Sequence, residues 1–187
     1  MAWANSPGRV RAQLVLLYEL LDGAVAVQSK ARRLMVQLGR VFPEIALLRT
    51  GPGVGLVGAH TFVGFIQEPG RFSNASQLYR YCRLGIRDRS SDGKPLGYQK
   101  LDRQGHGVLK AVSYRAWLQA MKRRRGAIYE CYCRSLERAG SEVHARLNTQ
   151  RKVLLTLWVL WQNKEKFDPE TFLRSDPRAA PRNACGS

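Results

Sequence analysis

The chain has 187 residues, and its 31 Lys and Arg against 14 Asp and Glu give a formal net charge of +17. Hydrophobic residues make up 44% of the sequence, which is enough for a packed core and excludes a disordered basic tail as the whole of the protein. The positive charge predicts a polyanionic partner, and because no apolar segment reaches the roughly 18 residues of a membrane-spanning helix, we expect nucleic acid and no membrane.

Apolar side chains recur alternately every four and three residues through the first forty residues. The seam is interrupted only by the polar Gln28 and contains Val10, Leu14, Leu17, Leu21, Ala24, Ala31, Met35, Leu38 and Phe42. This heptad pattern predicts a long coiled-coil helix over residues 1–42, which must bury its stripe against a partner. The partner is either a second copy of the chain, which makes the protein a homo-oligomer, or a helix elsewhere in the chain. Pro43 suits the first turn of the next helix.

A turn rich in Gly and Pro follows, between two helical segments. Its residues include Gly51, Gly53, Val54 and Gly55. Glycines allow φ > 0 and a close approach of the backbone to a ligand, and the helix that starts near Val54 offers unpaired N–H groups to an anion. The pattern resembles the helix-hairpin-helix motif, whose proteins hold DNA or RNA phosphates without reading bases. The alternative is a tight turn whose glycines serve close packing.

The remaining segments predict a mainly α fold. Ser73 is of the preferred type to cap a helix that runs to Cys82, and the apolar run 153–161 is typical of a core helix. Helices are predicted at 56–66, 75–82, 107–125, 127–139 and 142–163. The stretch 85–107 loses apolar periodicity and collects basic residues, so it predicts a functional basic loop that leaves room for a small β-ribbon. We expect a helical domain over 43–168 and a disordered tail over 169–187.

Three further predictions come from the cysteines, from the N-terminus and from the aromatic residues. The four cysteines lie at 82, 131, 133 and 185, with neither zinc-site nor disulfide spacing, so no metal site is predicted in this chain. The first residues lack the order of a secretory signal, which predicts a cytoplasmic location. The tryptophans Trp117, Trp158 and Trp161 are expected in the core, whereas Tyr79, Tyr81 and Tyr98 alternate with arginines and are better candidates for nucleic-acid contact.

The order of these motifs resembles the C-terminal domain of the insertion-sequence 110/116/902 class of transposases, also called DEDD transposases. The similarity covers roughly residues 10–169 and rests on the heptad helix, the hairpin, Arg71-Phe72-Ser73 with Gln77-Leu78, the serine-containing basic loop and Phe167-Asp168-Pro169. Members of this class recombine DNA under the guidance of a bridging RNA. The resemblance therefore implies DNA binding in transposition and recombination, with a guide RNA as a further partner.

The resemblance also implies an active site divided between two domains. An N-terminal nuclease-like domain holds magnesium with four carboxylates, and the C-terminal domain supplies a serine nucleophile. Alignment of this loop with the family pattern places the nucleophile at Ser91, with Ser90 as the runner-up. The basic residues expected to hold the phosphate are Arg87, Arg89, Lys94, Lys100 and Arg103. Asp92 departs from the pattern, in which glycine follows the serine.

The chain starts within the coiled coil and its first acidic residues, Glu19 and Asp22, form no cluster. We therefore expect a truncated or separately encoded C-terminal part of a transposase, which binds no cofactor itself and is inactive without a domain that supplies the carboxylates and magnesium. The alternatives are a non-catalytic helix-hairpin-helix module that binds nucleic acid, or an inactive transposase remnant.

Overall fold

The structure is a computed structural model that describes residues 7–91, 94–102 and 104–174; the side chains of residues 7, 9 and 88–99 lie outside this description. The chain divides into two compact units, Met1–Val41 and Phe42–Ser187. The prediction of a mainly helical fold is confirmed.

The first unit consists of helix α1, Pro7–Val41. The long helix predicted from the heptad seam is therefore confirmed, and its length is roughly 52 Å at a rise of ~1.5 Å per residue. The seam side chains of Leu14, Leu17 and Leu21 are 49%, 61% and 55% exposed. Pro43 then starts a new helix, as predicted.

The second unit contains the remaining elements. They are α2 (Pro43–Leu48), α3 (Leu56–Ile66), a 3-10 turn (Pro69–Arg71), α4 (Ala75–Tyr81), β1 (Ile86–Ser91), β2 (Lys94–Leu101), α5 (Gly107–Arg123), α6 (Ala127–Ala139), α7 (Glu142–Asn163) and α8 (Pro169–Arg174). The predicted helices are all present, with ends within two residues of the expected positions. Left-handed residues end α5, α6 and α7, at Arg124, Gly140 and Lys164.

Helix α7 forms the centre of the second unit, and α2, α4, α5 and α6 all pack against it. Its residues Leu154 and Trp158 are 0% and 1% exposed, so the prediction that 153–161 is a core helix is confirmed. The indole Nε1 of Trp158 donates to the carbonyl oxygen of Pro69 at 2.7 Å, which satisfies the buried N–H and ties the turn before α4 to the core.

Two local expectations are corrected. Asn74, and not Ser73, caps α4: its Oδ1 accepts from the backbone N–H of Gln77 at 3.0 Å, while Ser73 N donates back to Gln77 Oε1 at 2.9 Å. A capping side chain accepts from the backbone N–H of the third residue after it. Asn74 is three residues before Gln77, whereas Ser73 is four residues before it. Pro169–Arg174, which were expected within a disordered tail, form α8, and Phe172 is 2% exposed; the rest of the expected tail, residues 175–187, lies outside the described part.

The stretch expected as a basic loop forms an antiparallel ribbon of β1 and β2, so the small β-ribbon is confirmed. Ile86 pairs with Leu101 at its base, and Ser91 pairs with Lys94 at its tip. The register shifts between Asp88 and Ser90, which indicates a bulge within the ribbon. At the base, the backbone N–H of Asp102 donates to the carbonyl of Gly85 at 2.9 Å, and that of His106 to the carbonyl of Tyr81 at 2.7 Å. These bonds attach the ribbon to the end of α4.

Candidate nucleic-acid interface

The turn between α2 and α3 contains three glycines in different environments. A Cβ on Gly51 would lie 2.6 Å from Leu157 Cδ2, and a Cβ on Gly53 would lie 2.9 Å from the Cα of Ala116. Gly53 also has φ +68°, in the left-handed region that favours glycine. Gly51 and Gly53 are therefore required by close packing against α7 and α5, which is the structural alternative noted for this turn.

Gly55 is the glycine that lies open, because no atom lies within 4 Å of the position that its Cβ would occupy. It is the N-cap residue of α3, with φ −86° and ψ −177°, so its conformation is accessible to any residue. Gly55 O accepts from Ala59 N at 3.0 Å, while the N–H groups of the three residues between them precede the first intrahelical bond. No side chain of the described residues caps this helix.

The start of α3 can therefore receive an anion through backbone N–H groups and the positive end of its dipole. Val54 contributes through its backbone position only, because its side chain is 7% exposed and packs in the core. Its Cγ1 lies 3.3 Å from the Cβ position of Gly58, which fixes the entry of the chain into α3. Of the four predicted hairpin residues, Gly55 thus has the environment that best fits phosphate contact.

The ribbon separates the other predicted residues into a tip and a base. Ser91 and Lys94 are paired at the tip, next to Ser90 opposite Pro95. Arg87 and Lys100 are paired near the base, and both are exposed. Four residues of strand, about 13 Å, separate Ser91 from Arg87. The backbone positions of Arg87 and Lys100 therefore lie apart from those of Ser91 and Lys94 along the ribbon.

The pairing of Arg87 with Lys100 places two residues of like charge opposite each other in the ribbon. The side chains of Arg89, Lys94, Ser90 and Ser91 lie outside the described part of the structure, and Arg103 lies outside it altogether. Their assignment as contacts to nucleic acid stays a prediction.

The tyrosines expected to contact nucleic acid turn towards the protein instead. Burial raises the pKa of Tyr79 to about 12, and its hydroxyl is enclosed. The hydroxyl of Tyr81 donates to the carbonyl of Phe65 at 2.8 Å and accepts from Arg71 Nη1 at 3.2 Å. The Arg71 guanidinium lies 4.6 Å from the centroid of the Tyr81 ring. Tyr79 and Tyr81 thus interact with other parts of the second unit; the side chain of Tyr98 lies outside the description.

The part of the chain that the structure describes contains neither a cluster of metal ligands nor a membrane-spanning helix. No three His, Cys, Asp or Glu side chains lie together there as metal ligands. None of its helices combines the length and apolar character needed to cross a membrane.

Comparison with known proteins gives one family match, and it covers the hairpin and the ribbon. Residues 45–133 match the family described as Transposase IS116/IS110/IS902 family. The matched segment runs from α2 into α6 and contains the hairpin, the ribbon and α5. No curated protein matches the sequence.

Proposed function

Since residues 45–133 carry a domain of the IS116/IS110/IS902 transposase family, we propose that the chain binds DNA during transposition and presents Ser91 to a phosphodiester at the tip of the ribbon. The observation that carries this proposal is the match itself, because it spans both the hairpin and the ribbon. The net charge of +17 supports a polyanionic partner independently of the match.

The proposed grip on DNA has two parts. The open start of α3 at Gly55 receives a backbone phosphate through N–H groups. Arg87 and Lys100, opposite each other and exposed, hold another phosphate of the strand that reaches the ribbon tip. Contacts of this kind position a duplex without reading its sequence, so base recognition comes from elsewhere, and we propose a guide RNA as its source.

The proposed chemistry is an exchange of phosphate esters. The Ser91 Oγ attacks the phosphorus and forms an Oγ–P bond while the P–O bond to the leaving sugar oxygen breaks. The serine loses its proton and the leaving oxygen gains one, so the energy of the ester is conserved for rejoining. A serine hydroxyl needs activation to act in this way. The described residues supply no magnesium site, so we propose that the activating groups belong to the nuclease-like domain implied by the family.

The support for Ser91 from its position is that it ends β1 and pairs with Lys94, at the opposite end of the ribbon from the Ile86–Leu101 pair. The family position of the serine is followed here by Asp92, whose negative charge opposes approach of a phosphate. The non-catalytic alternative, a nucleic-acid-binding module, is therefore tested in the same experiment.

The experiment incubates the chain with a separately expressed nuclease-like domain of the family, a guide RNA, magnesium, and labelled DNA from both sides of the reading frame. We expect a covalent protein–DNA adduct on a denaturing gel, which Ser91→Ala abolishes while DNA binding persists. Ser90→Ala is the matched control and should retain the adduct. An adduct that survives Ser91→Ala but not Ser90→Ala moves the nucleophile by one residue, and the absence of any adduct leaves the binding module.

We also propose that the chain self-associates through α1. The support is the heptad seam, whose Leu14, Leu17 and Leu21 are about half exposed in this unit. A stripe of this length is buried in stable coiled coils by a second helix of the same pattern.

A further inference from the structure

Four basic side chains from three parts of the fold converge beside the start of α5. Arg83 follows α4, Lys110 lies near the N-terminus of α5, and Arg146 and Arg151 lie on α7. Burial, together with the charges of Arg146, Arg83 and Arg151, lowers the pKa of Lys110, which identifies the four as electrostatic neighbours. Arg83, Lys110, Arg146 and Arg151 are called the basic cluster below.

Two members of the cluster are held in place without a carboxylate. Arg151 Nε donates to the carbonyl of Leu84 at 2.8 Å, and its Nη1 donates to Asn148 Oδ1 at 3.4 Å. Arg83 Nη1 lies 3.3 Å from the position of a Cβ on Gly107, the first residue of α5. The positions of these guanidinium groups thus follow from packing and from hydrogen bonds to neutral groups.

In the described part of the chain no ion pair within 4.0 Å joins a member of the cluster to a carboxylate, and the carboxylate one helical turn from Arg146 on α7 is that of Glu142. Ion pairs there within 4.0 Å join Arg134 to Glu130 and Arg174 to Glu170, neither of which belongs to the cluster. Tyr79, the ionisable neighbour of Arg151, is neutral because burial raises its pKa to about 12. The first turn of α5 contains no acidic residue either, and its dipole adds to the positive potential.

An aromatic pair continues the cluster along α5. The Arg146 guanidinium lies 5.8 Å from the centroid of the Trp117 ring. Tyr114 stacks on Trp117, with centroids 5.5 Å apart and an interplanar angle of 29°. Lys110, Tyr114 and Trp117 are spaced by four and three residues, so they share one face of the helix. Tyr114 is 39% exposed, which leaves part of an aromatic side chain open to solvent beside the cations.

We propose that the basic cluster binds a phosphodiester of a nucleic-acid strand whose neighbouring unpaired base stacks on Tyr114. Guanidinium groups match the geometry of phosphate oxygens, and an ammonium group adds charge without directional demands. A bound phosphate offsets the mutual repulsion of the four cations, and an exposed aromatic ring next to them suits a base. The assignment of the ligand as nucleic acid rests on the proposed function, whereas the anion site rests on the cluster.

The test compares two double variants that remove the same charges from the full chain. Arg83→Gln with Lys110→Gln alters the cluster, and Arg115→Gln with Lys122→Gln is the matched control, because both control residues are exposed on α5. Arg151 is left intact because it supports the fold through Leu84. Binding of a labelled single-stranded oligonucleotide is measured by fluorescence anisotropy at several salt concentrations.

We expect the cluster variant to bind about tenfold more weakly, with the salt slope reduced by about two, and the control to lose clearly less. The cluster variant should unfold at the same or a higher temperature than the parent without ligand, because the repulsion is relieved. A loss of equal size in the two variants overturns the proposed site. A cluster variant that has lost its folded circular dichroism spectrum is replaced by Lys110→Gln alone, with Lys122→Gln as its control and an expected reduction of the salt slope by about one; equal losses in these two variants overturn the proposed site.

Tyr114→Ala tests the stacking step, with Tyr114→Phe as its control. Tyr114→Ala should weaken binding of the single strand about tenfold and leave a duplex of the same sequence nearly unchanged, whereas Tyr114→Phe should preserve both affinities. Equal losses for the single strand and the duplex overturn the assignment of an unpaired base.

Inorganic phosphate separates failure of this inference from failure of the proposed function. Phosphate should raise the unfolding temperature of the parent more than that of the cluster variant, with chloride at matched ionic strength as the reference. No nucleic-acid binding by the parent overturns both the proposed function and the ligand named here, and the phosphate measurement then still decides the anion site. Equal stabilisation of parent and variant by phosphate overturns the anion site itself.

Discussion

Gly53 and Gly55 are two residues apart in the same turn, yet they differ in backbone conformation and in surroundings. Gly53 has φ +68° and faces Ala116, so the turn itself requires glycine there. Gly55 has a conformation open to any residue and no neighbour at its Cβ position. In the sequence both belong to one predicted phosphate-binding pattern. Because only Gly53 is required by the turn, substitutions at the two positions can test folding and binding separately.

Gly53→Ala should lower the free energy of unfolding by about 1–3 kcal/mol, because a Cβ is strained at positive φ and overlaps the backbone of Ala116. The measurement is urea denaturation followed by circular dichroism. Gly64→Ala, at a helical glycine with open space around its Cβ position, is the control and should be neutral or stabilising. A Gly53→Ala protein as stable as the parent would show that the turn does not have this geometry.

Gly55→Asp should separate stability from binding. Aspartate at the N-cap accepts from the free N–H groups of α3 and suits the dipole, so the free energy of unfolding should rise by a few tenths of a kcal/mol. DNA affinity should fall about tenfold, because the carboxylate occupies the proposed phosphate position and repels the backbone. Gly55→Ser gives a cap without charge, so its DNA affinity should lie between those of the parent and of Gly55→Asp. If Gly55→Asp binds DNA as tightly as the parent, this helix end does not contact phosphate.

At the scale of elements, periodicity and caps determine most of what can be predicted from the sequence. The amphipathic patterns of α5, α6 and α7 are local, so their positions follow from spacing and from residues such as Gly140. The ribbon is harder to predict because its strands are polar and carry little alternation. The choice between Asn74 and Ser73 as a cap depends on a side-chain hydrogen bond rather than on residue type.

The basic cluster could not be predicted in the same way. Its members come from the end of α4, from α5 and from α7, and they meet only after α7 is buried at the centre of the unit. In the sequence they are ordinary members of a highly basic composition. Tyr79 and Tyr81 show the reverse case: alternation with arginines suggests a surface, but the hydroxyl of Tyr79 is buried and that of Tyr81 donates to the carbonyl of Phe65.

The prediction for the elements concerns self-association through helix α1. Leu17→Glu with Leu21→Glu should shift the chain from an oligomer to a monomer, because two charges would enter the apolar seam. Ala12→Glu with Ala26→Glu adds the same charge on the opposite face of the helix and is the control, which should stay oligomeric. Analytical ultracentrifugation gives the mass of each form. A parent chain that sediments as a folded monomer at all concentrations would contradict self-association and leave a partner of another kind.

For the whole molecule, the net charge of +17 attracts a nucleic acid electrostatically before the nucleic acid occupies a specific site. The hairpin, the ribbon and the basic cluster all lie in the second unit, and the interactions proposed for them are with phosphate groups. Each cation that meets a phosphate releases a condensed counterion, so affinity depends on salt as well as on contact. The charge thus supports fast, sequence-tolerant association, while the ester exchange proposed at the ribbon tip concerns a single bond.

The full chain should therefore bind DNA and structured RNA of unrelated sequences with similar affinity and a steep dependence on salt. Between ~50 and ~200 mM monovalent salt, the affinity should fall by at least about a hundredfold, as expected for several phosphate contacts. Fluorescence anisotropy with two duplexes of different sequence and one RNA hairpin measures both properties, and vesicles of anionic lipid serve as a control for attraction to any negative surface. A flat salt dependence would contradict binding through phosphate contacts. Tighter binding to the vesicles than to every nucleic acid would contradict nucleic acid as the partner, because charge alone would then account for the association.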